Sequence, residues 1–209
     1  MDYNIFNSYI WKTKLHYDGK ENLIKKIEEK YHEQPNLTPK KWKCNVHSSF
    51  EDKNNNDFFL LGENNLLDVI ENKIHEFLSL YGEKINLHGD FSLSEIWYNV
   101  YKNNQFQEPH THGGSIFSGC YYLKFNKHDH HQTQFYNPNY NLDYSKLENN
   151  QHFYFEPDCE EDDLIIFPSA LKHGTKGVLP NSNDTRITIS FNVSMEDYLI
   201  KKKNNISYQ

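Results

Sequence analysis

Residues 107–123 read QEPHTHGGSIFSGCYYL: two imidazoles flanking a threonine, a run of small residues, then an apolar segment of strand composition. Alternate side chains of an extended chain project from one face, so His110 and His112 can reach a common point above a sheet. Two ligands hold a metal weakly, and an HxH pair alone equally suits an exposed polar turn. What this stretch means depends on whether its neighbours form a sheet and whether a distant segment brings a third ligand.

The neighbours read as a sheet. From residue 92 the hydrophobic period is two: SLSEIWYNVY sets Ile96, Tyr98 and Val100 on one face, and SGCYYLKF, HFYFEP, DLIIFPS and RITISFNVSM follow, bounded by Gly, Pro, Asn or Asp. No segment between them has the length and period of a crossover helix, so an antiparallel sandwich or barrel is expected. The N-terminal third is different. Leu23, Ile24, Ile27 and Tyr31 in 21–31, and Leu66, Ile70, Ile74, Phe77 and Tyr81 in 65–81, fall at helical spacing. Asn64 or Asn65 is the expected N-cap of the second helix.

The fold class is therefore α+β, mostly β. We expect one domain over 1–209, with 1–91 as helical and strand support, 92–195 as the β core and 196–209 as a tail. Residues 126–151 are polar and long for a connection, which marks a functional or disordered loop.

A formal charge of -7 and a pI near 5.9 argue against a nucleic-acid partner; Lys201, Lys202 and Lys203 form the one basic cluster and read as a solvated end. Cys44, Cys120 and Cys159 are odd in number and contain no CxxC, so neither a disulfide framework nor a zinc ribbon is expected. With no secretory leader pattern and no apolar run of about 20 residues, a reduced, cytoplasmic protein with no membrane contact is the expectation. The amphipathic helices leave a homodimer open.

Of the twelve histidines, His16, His32, His47, His75 and His88 stand alone and read as surface or satisfied core residues. His173 is different: it follows the DLIIFP strand, 63 residues past His110 and 61 past His112 (173 - 110 and 173 - 112), within reach of the pair if the sheets fold over one another. Three ligands with open positions make a catalytic metal centre, because structural sites usually close all four. Arg186 opens RITISFNV, with Thr188 and Ser190 on its face. A guanidinium pointing into a sandwich requires a partner, and its fork matches a carboxylate.

On WYNVYKNNQFQEPHTHGGSIFSGCYYL, QFYNP, DDLIIFPSALKHG and RITISFNV, covering residues 95–193, the sequence resembles the 2-oxoglutarate- and Fe(II)-dependent oxygenase superfamily, most closely a small family common in marine bacteria and their phages. The resemblance implies a double-stranded β-helix (jelly-roll, cupin-like) core. It implies that His110 and His173 are iron ligands, that Arg186 pairs with the distal carboxylate of 2-oxoglutarate, and that Tyr122, Thr188 and Ser190 are further co-substrate contacts. The reaction implied consumes O2 and 2-oxoglutarate, hydroxylates a small-molecule or peptide substrate, and releases succinate and CO2.

Three departures from the superfamily pattern stand out. His112 occupies the position of the usual acid, which makes a neutral three-histidine set unless Glu108 or Asp129 reaches in; the neutral set is favoured because Glu108 precedes Pro109 and Asp129 belongs to the long loop. The interval from His173 to Arg186 is long, which TKGVLPNSNDT can absorb as an extended hairpin turn. EEDDLIIF lacks a glycine before its strand. The cluster His128, Asp129, His130 and His131 reads as a lid tip rather than a second metal site, and Tyr136, Tyr140 and Tyr144 suit a substrate-covering loop. Two other readings remain: a cupin-type three-histidine metalloprotein that does not use 2-oxoglutarate, and a non-catalytic binding sandwich.

Overall fold

A computed structural model describes residues 8–52, 58–60, 65–82, 89–102, 104–137, 153–179, 182 and 184–195. Ten strands and two helices are present in this part: β1 (Trp11–Lys14), α1 (Lys20–Glu33), β2 (His47–Ser48), α2 (Leu66–Tyr81), β3 (Phe91–Tyr101), β4 (Gln107–His110), β5 (Phe117–Lys124), β6 (Gln134–Tyr136), β7 (Tyr154–Phe155), β8 (Asp163–Pro168), β9 (His173–Thr175) and β10 (Arg186–Met195). They form a six-stranded sheet in the order β1-β8-β5-β10-β3-β2 and a four-stranded sheet in the order β4-β9-β6-β7, and every strand pairing is antiparallel.

The period of two fixes which face of the larger sheet is covered. Ile187, Ile189, Phe191 and Val193 of β10 join Ile96, Tyr98 and Val100 of β3 and Leu164 and Ile166 of β8 in one core, closed on its far side by Leu23 and Ile27 of α1 and Leu66, Ile70, Ile74 and Phe77 of α2. Cys120, Tyr122, Ile165 and Phe167 alternate with these and form a second core with Phe135 of the smaller sheet. A one-residue slip in any of these strands would exchange the two cores, so register is strongly specified. Packing is close enough that a Cβ on Gly119 would fall 2.0 Å from the Phe191 ring.

Both expected helices form, and the Asn65 side chain caps α2 by accepting from the Asp68 backbone N–H. The N-terminal region does more than support the sheet: β1 pairs with β8 and β2 with β3, so it supplies both edges of the larger sheet. The turn before β8 uses Asp162 where a glycine would be at ease. Its φ of 68° is left-handed, and its carboxylate accepts from Tyr121 Oη at 3.0 Å and from Lys20 Nζ at 2.7 Å, which hold a conformation that L-residues adopt at a cost.

Two expectations require correction. The segment between His173 and Arg186 is no hairpin turn, because β9 lies in the smaller sheet and β10 in the larger; the chain crosses between sheets and makes an isolated bridge from Val178 to His130 on the way. The segment 126–151 is not loop throughout: 126–133 is a turn and irregular chain with a bridge at His130, but 134–136 form β6, while 138–151, with Tyr140 and Tyr144, lies outside the described residues. The tail 196–209 also lies outside them. Among the described residues no helix is long and apolar enough to cross a membrane.

Candidate metal centre

The smaller sheet brings the distant histidines together. β4 pairs with β9 so that His110 and His173 are direct cross-strand partners. His112 lies two residues past the end of β4, where its backbone N–H donates to Ser169 carbonyl at 3.0 Å and keeps the chain against the turn after β8. The three rings converge: centroids lie 4.4 Å apart for His110 and His173, 4.9 Å for His110 and His112, and 5.1 Å for His112 and His173. One nitrogen from each lies within 4.8 Å of the other two.

The free nitrogens are fixed by backbone contacts. His110 Nδ1 lies 2.8 Å from Glu108 carbonyl and His173 Nδ1 lies 2.9 Å from Leu171 carbonyl, so in each ring Nδ1–H donates and Nε2 keeps its lone pair. His112 Nε2 is 3.3 Å from His173 Nε2. Two imidazoles bound to one cation at roughly 2.1 Å have about that separation. Burial pushes all three imidazoles toward the neutral form, His112 to about 4 and His173 well below the usual range, with further lowering of His112 by His110 and of His173 by both other rings. A neutral imidazole is the form that binds a metal.

Neither candidate carboxylate joins this group. Glu108 Oε1 accepts from the Lys43 backbone N–H at 2.8 Å, and Asp129 accepts from Asn126 Nδ2 at 2.6 Å in its own turn. The donor set is three neutral nitrogens.

The imidazoles line a narrow cavity together with Arg186, Thr188 and Ser190. Arg186 is 1% exposed, its Nε and Nη1 have no hydrogen-bond partner, and its guanidinium lies against Tyr101 at 4.8 Å and Tyr122 at 5.4 Å. Asp184, just ahead of β10, pairs instead with Lys124 and sits 3.7 Å from His130 Nε2. A buried cation left in this state is costly, and a carboxylate ligand in the cavity would offset the cost.

Tyr122 does not line the cavity. It is fully buried, and its hydroxyl donates to Thr133 Oγ1 at 2.9 Å, so it supports Thr133 and the Arg186 plane from behind. Ser190 accepts from Asn99 Nδ2 at 3.0 Å. His130 is 3% exposed and packs on Phe125, with its Nδ1 accepting from the Asn126 N–H. It therefore belongs to the wall behind Arg186 and is not a lid tip.

The sequence reading missed Trp97 and Phe167, both buried and lining the cavity. For Trp97 a signal existed: Ile96, Tyr98 and Val100 claim one face of β3, which sends Trp97, Asn99 and Tyr101 to the other.

Residues 95–192 match the model of a family described as "Putative 2OG-Fe(II) oxygenase". A comparison with curated protein sequences gives no match. Among solved structures, the fold is similar to a Pseudomonas putida prolyl-4-hydroxylase (TM-score 0.54, 12% identity, 90% of this chain and 92% of that one). It is also similar to a viral collagen prolyl hydroxylase of Paramecium Bursaria Chlorella virus-1, solved with 2OG (TM-score 0.52, 16% identity, 88% and 95%). A third is a Trichoplax adhaerens prolyl hydroxylase, solved with a hypoxia inducible factor peptide fragment (TM-score 0.52, 13% identity, 96% and 87%). At these identities the likeness is one of fold, the double-stranded β-helix. The stretch that matches the 2OG-Fe(II) oxygenase family model, residues 95–192, contains all three converging histidines and Arg186.

Proposed function

We propose that His110, His112 and His173 hold Fe(II), and that Arg186, with Thr188 and Ser190, receives the distal carboxylate of 2-oxoglutarate. The observation that carries this reading is the coexistence, in one cavity, of three imidazoles within 4.8 Å of one another and a buried guanidinium whose Nε and Nη1 lack hydrogen-bond partners. When bound, the metal supplies the oxidising chemistry that couples decarboxylation of 2-oxoglutarate by O2 to hydroxylation of a substrate C–H bond, releasing succinate and CO2.

The protein's own residues bind, orient and dry the site. The carbonyls of Glu108 and Leu171 hold Nδ1–H of two ligand rings so that Nε2 faces the metal. Arg186 offers a planar fork to a carboxylate, and the rings of Tyr101 and Tyr122 keep that plane in place. Trp97 and Phe167 exclude water beside the imidazoles.

The substrate is a small molecule or a peptide; the peptide complex of the Trichoplax protein of similar fold supports the second. The test is succinate formation from 2-oxoglutarate with Fe(II) and O2. The expected result is slow substrate-free turnover in the parent and none in His173→Ala. Equal turnover in both would exclude this site as the source.

A further inference from the structure

His110, His112 and Trp97 also line a second, more open hollow of about 300 Å³ that does not include Arg186. Its wall is aromatic. The rings of Trp42 and Phe50 lie 5.4 Å apart, Phe50 meets Trp97 edge-on at 5.0 Å, and Trp42 stacks on His110 at 6.5 Å. Its charges are of one sign, since Glu95 and Glu108 line it and no Lys or Arg does.

Two polar atoms of this wall are left over. The Glu108 carboxylate accepts from the Lys43 N–H through Oε1 and has the Cys44 thiol beside it, while its buried Oε2 makes no other hydrogen bond, and the indole Nε1 of Trp97, a residue 2% exposed, is unpaired. Glu95 is exposed, and its Oε2 accepts from Asn192 Nδ2 at 2.7 Å. A buried acceptor and a buried donor without partners indicate a bound group that supplies both.

We propose that this hollow is the substrate site and that it takes a primary ammonium or guanidinium carried on a short aliphatic chain, an inference that rests on the Fe(II) and 2-oxoglutarate reading of the neighbouring cavity. The carboxylates neutralise the cation, the ring faces attract it and cover its methylenes, and Trp97 Nε1 donates to an amide carbonyl on the same molecule. An anion is repelled, and a neutral chain leaves Glu108 Oε2 unpaired. The methylenes then lie beside His110 and His112. In the reaction one of their C–H bonds is replaced by C–OH, with one oxygen of O2 in the alcohol and the other in succinate, while 2-oxoglutarate loses its C1 carboxylate as CO2.

The test uses full-length protein and four probes: Nα-acetyl-lysine amide, Nα-acetyl-arginine amide, the neutral Nα-acetyl-norleucine amide, and acetyl-Ala-Lys-Ala amide. Binding is read by tryptophan emission without metal, and succinate release is read with Fe(II) and 2-oxoglutarate. Cationic probes should bind at least about tenfold more tightly than the norleucine amide (about 1.4 kcal/mol) and raise succinate release, and Glu95→Gln and Glu108→Gln should each shrink that preference. A stronger response to the tripeptide than to the single residue identifies a peptide source, and the reverse identifies a free amine. Equal binding of lysine and norleucine probes overturns the proposal even where substrate-free turnover proceeds. A cation preference without any succinate leaves the hollow's selectivity standing and defeats the oxygenase reading instead.

Discussion

The Nε2 atoms of His112 and His173 lie 3.3 Å apart with their rings parallel to within 7°, although 61 residues separate them in the chain. With no cation between them, two lone pairs at that distance repel unless one ring carries a proton there, and burial opposes the charged form of both. His112 stands where the superfamily usually has an acid. His112→Leu should weaken metal binding at least tenfold. His112→Asp, which restores a donor and adds a negative charge beside a dication, should recover most of it. Metal titration of the two variants by calorimetry checks the order.

The proposed function depends next on Arg186. Arg186→Met keeps most of the side chain's volume while removing its charge, so the fold should survive and the metal should still bind. Affinity for 2-oxoglutarate should fall by roughly 30-fold or more, about 2 kcal/mol, the scale expected when one partner of a desolvated charge pair is removed. Calorimetric titration of 2-oxoglutarate into metal-loaded, oxygen-free protein measures it. Unchanged affinity would send the carboxylate elsewhere.

Gly174 of β9 packs against β4, the two strands that carry His173 and His110. A Cβ there would lie 3.0 Å from the Gln107 carbonyl oxygen and 3.1 Å from the Pro109 nitrogen, both backbone atoms with little freedom to yield. Gly174→Ala should therefore push β9 away from β4, costing about 1–3 kcal/mol of stability and widening the His110 to His173 separation. Urea unfolding and metal affinity should both decline. A loss of stability with metal affinity intact would mean that the strand spacing does not set the site.

His47 provides a pH test remote from the three converging imidazoles. It is fully buried against Tyr31 and Tyr98, and burial lowers its imidazole to about 4 from the usual 6.5. The unfolded chain then takes up a proton that the folded chain refuses. His47's contribution is fully present above about pH 6.5, is lost as pH falls toward 4, and levels off below that, for a total of up to about 3 kcal/mol. Urea midpoints of the parent and His47→Gln from pH 7 to 4 isolate the effect. The variant should lose less stability on acidification, and parallel curves would contradict the assignment.

Much of this was legible in the sequence because it is periodic. Alternation in RITISFNV sends Ile187, Ile189, Phe191 and Val193 to the helices and Arg186, Thr188 and Ser190 to the cavity, and the HxH spacing at the end of β4 survives two residues beyond the strand. What was not legible depends on pairing between distant segments. The three-residue β6 is too short to show a period, so 126–151 reads as a loop, and the bridge between His130 and Val178 buries a histidine whose polar neighbours suggest exposure. Tyr122 has the correct parity to face the cavity, yet Thr133 covers its hydroxyl. Trp42 and Phe50 sit in irregular segments where nothing local indicates that they meet over His110 and beside Trp97.

The central claim concerns one cation shared by three rings, and stoichiometric metal binding tests it most directly. Oxygen-free equilibrium dialysis against Fe(II) should give one ion per chain in the parent and close to none in His110→Ala, His112→Ala and His173→Ala, each checked as folded by circular dichroism. One ion per chain retained in all three variants would contradict the account.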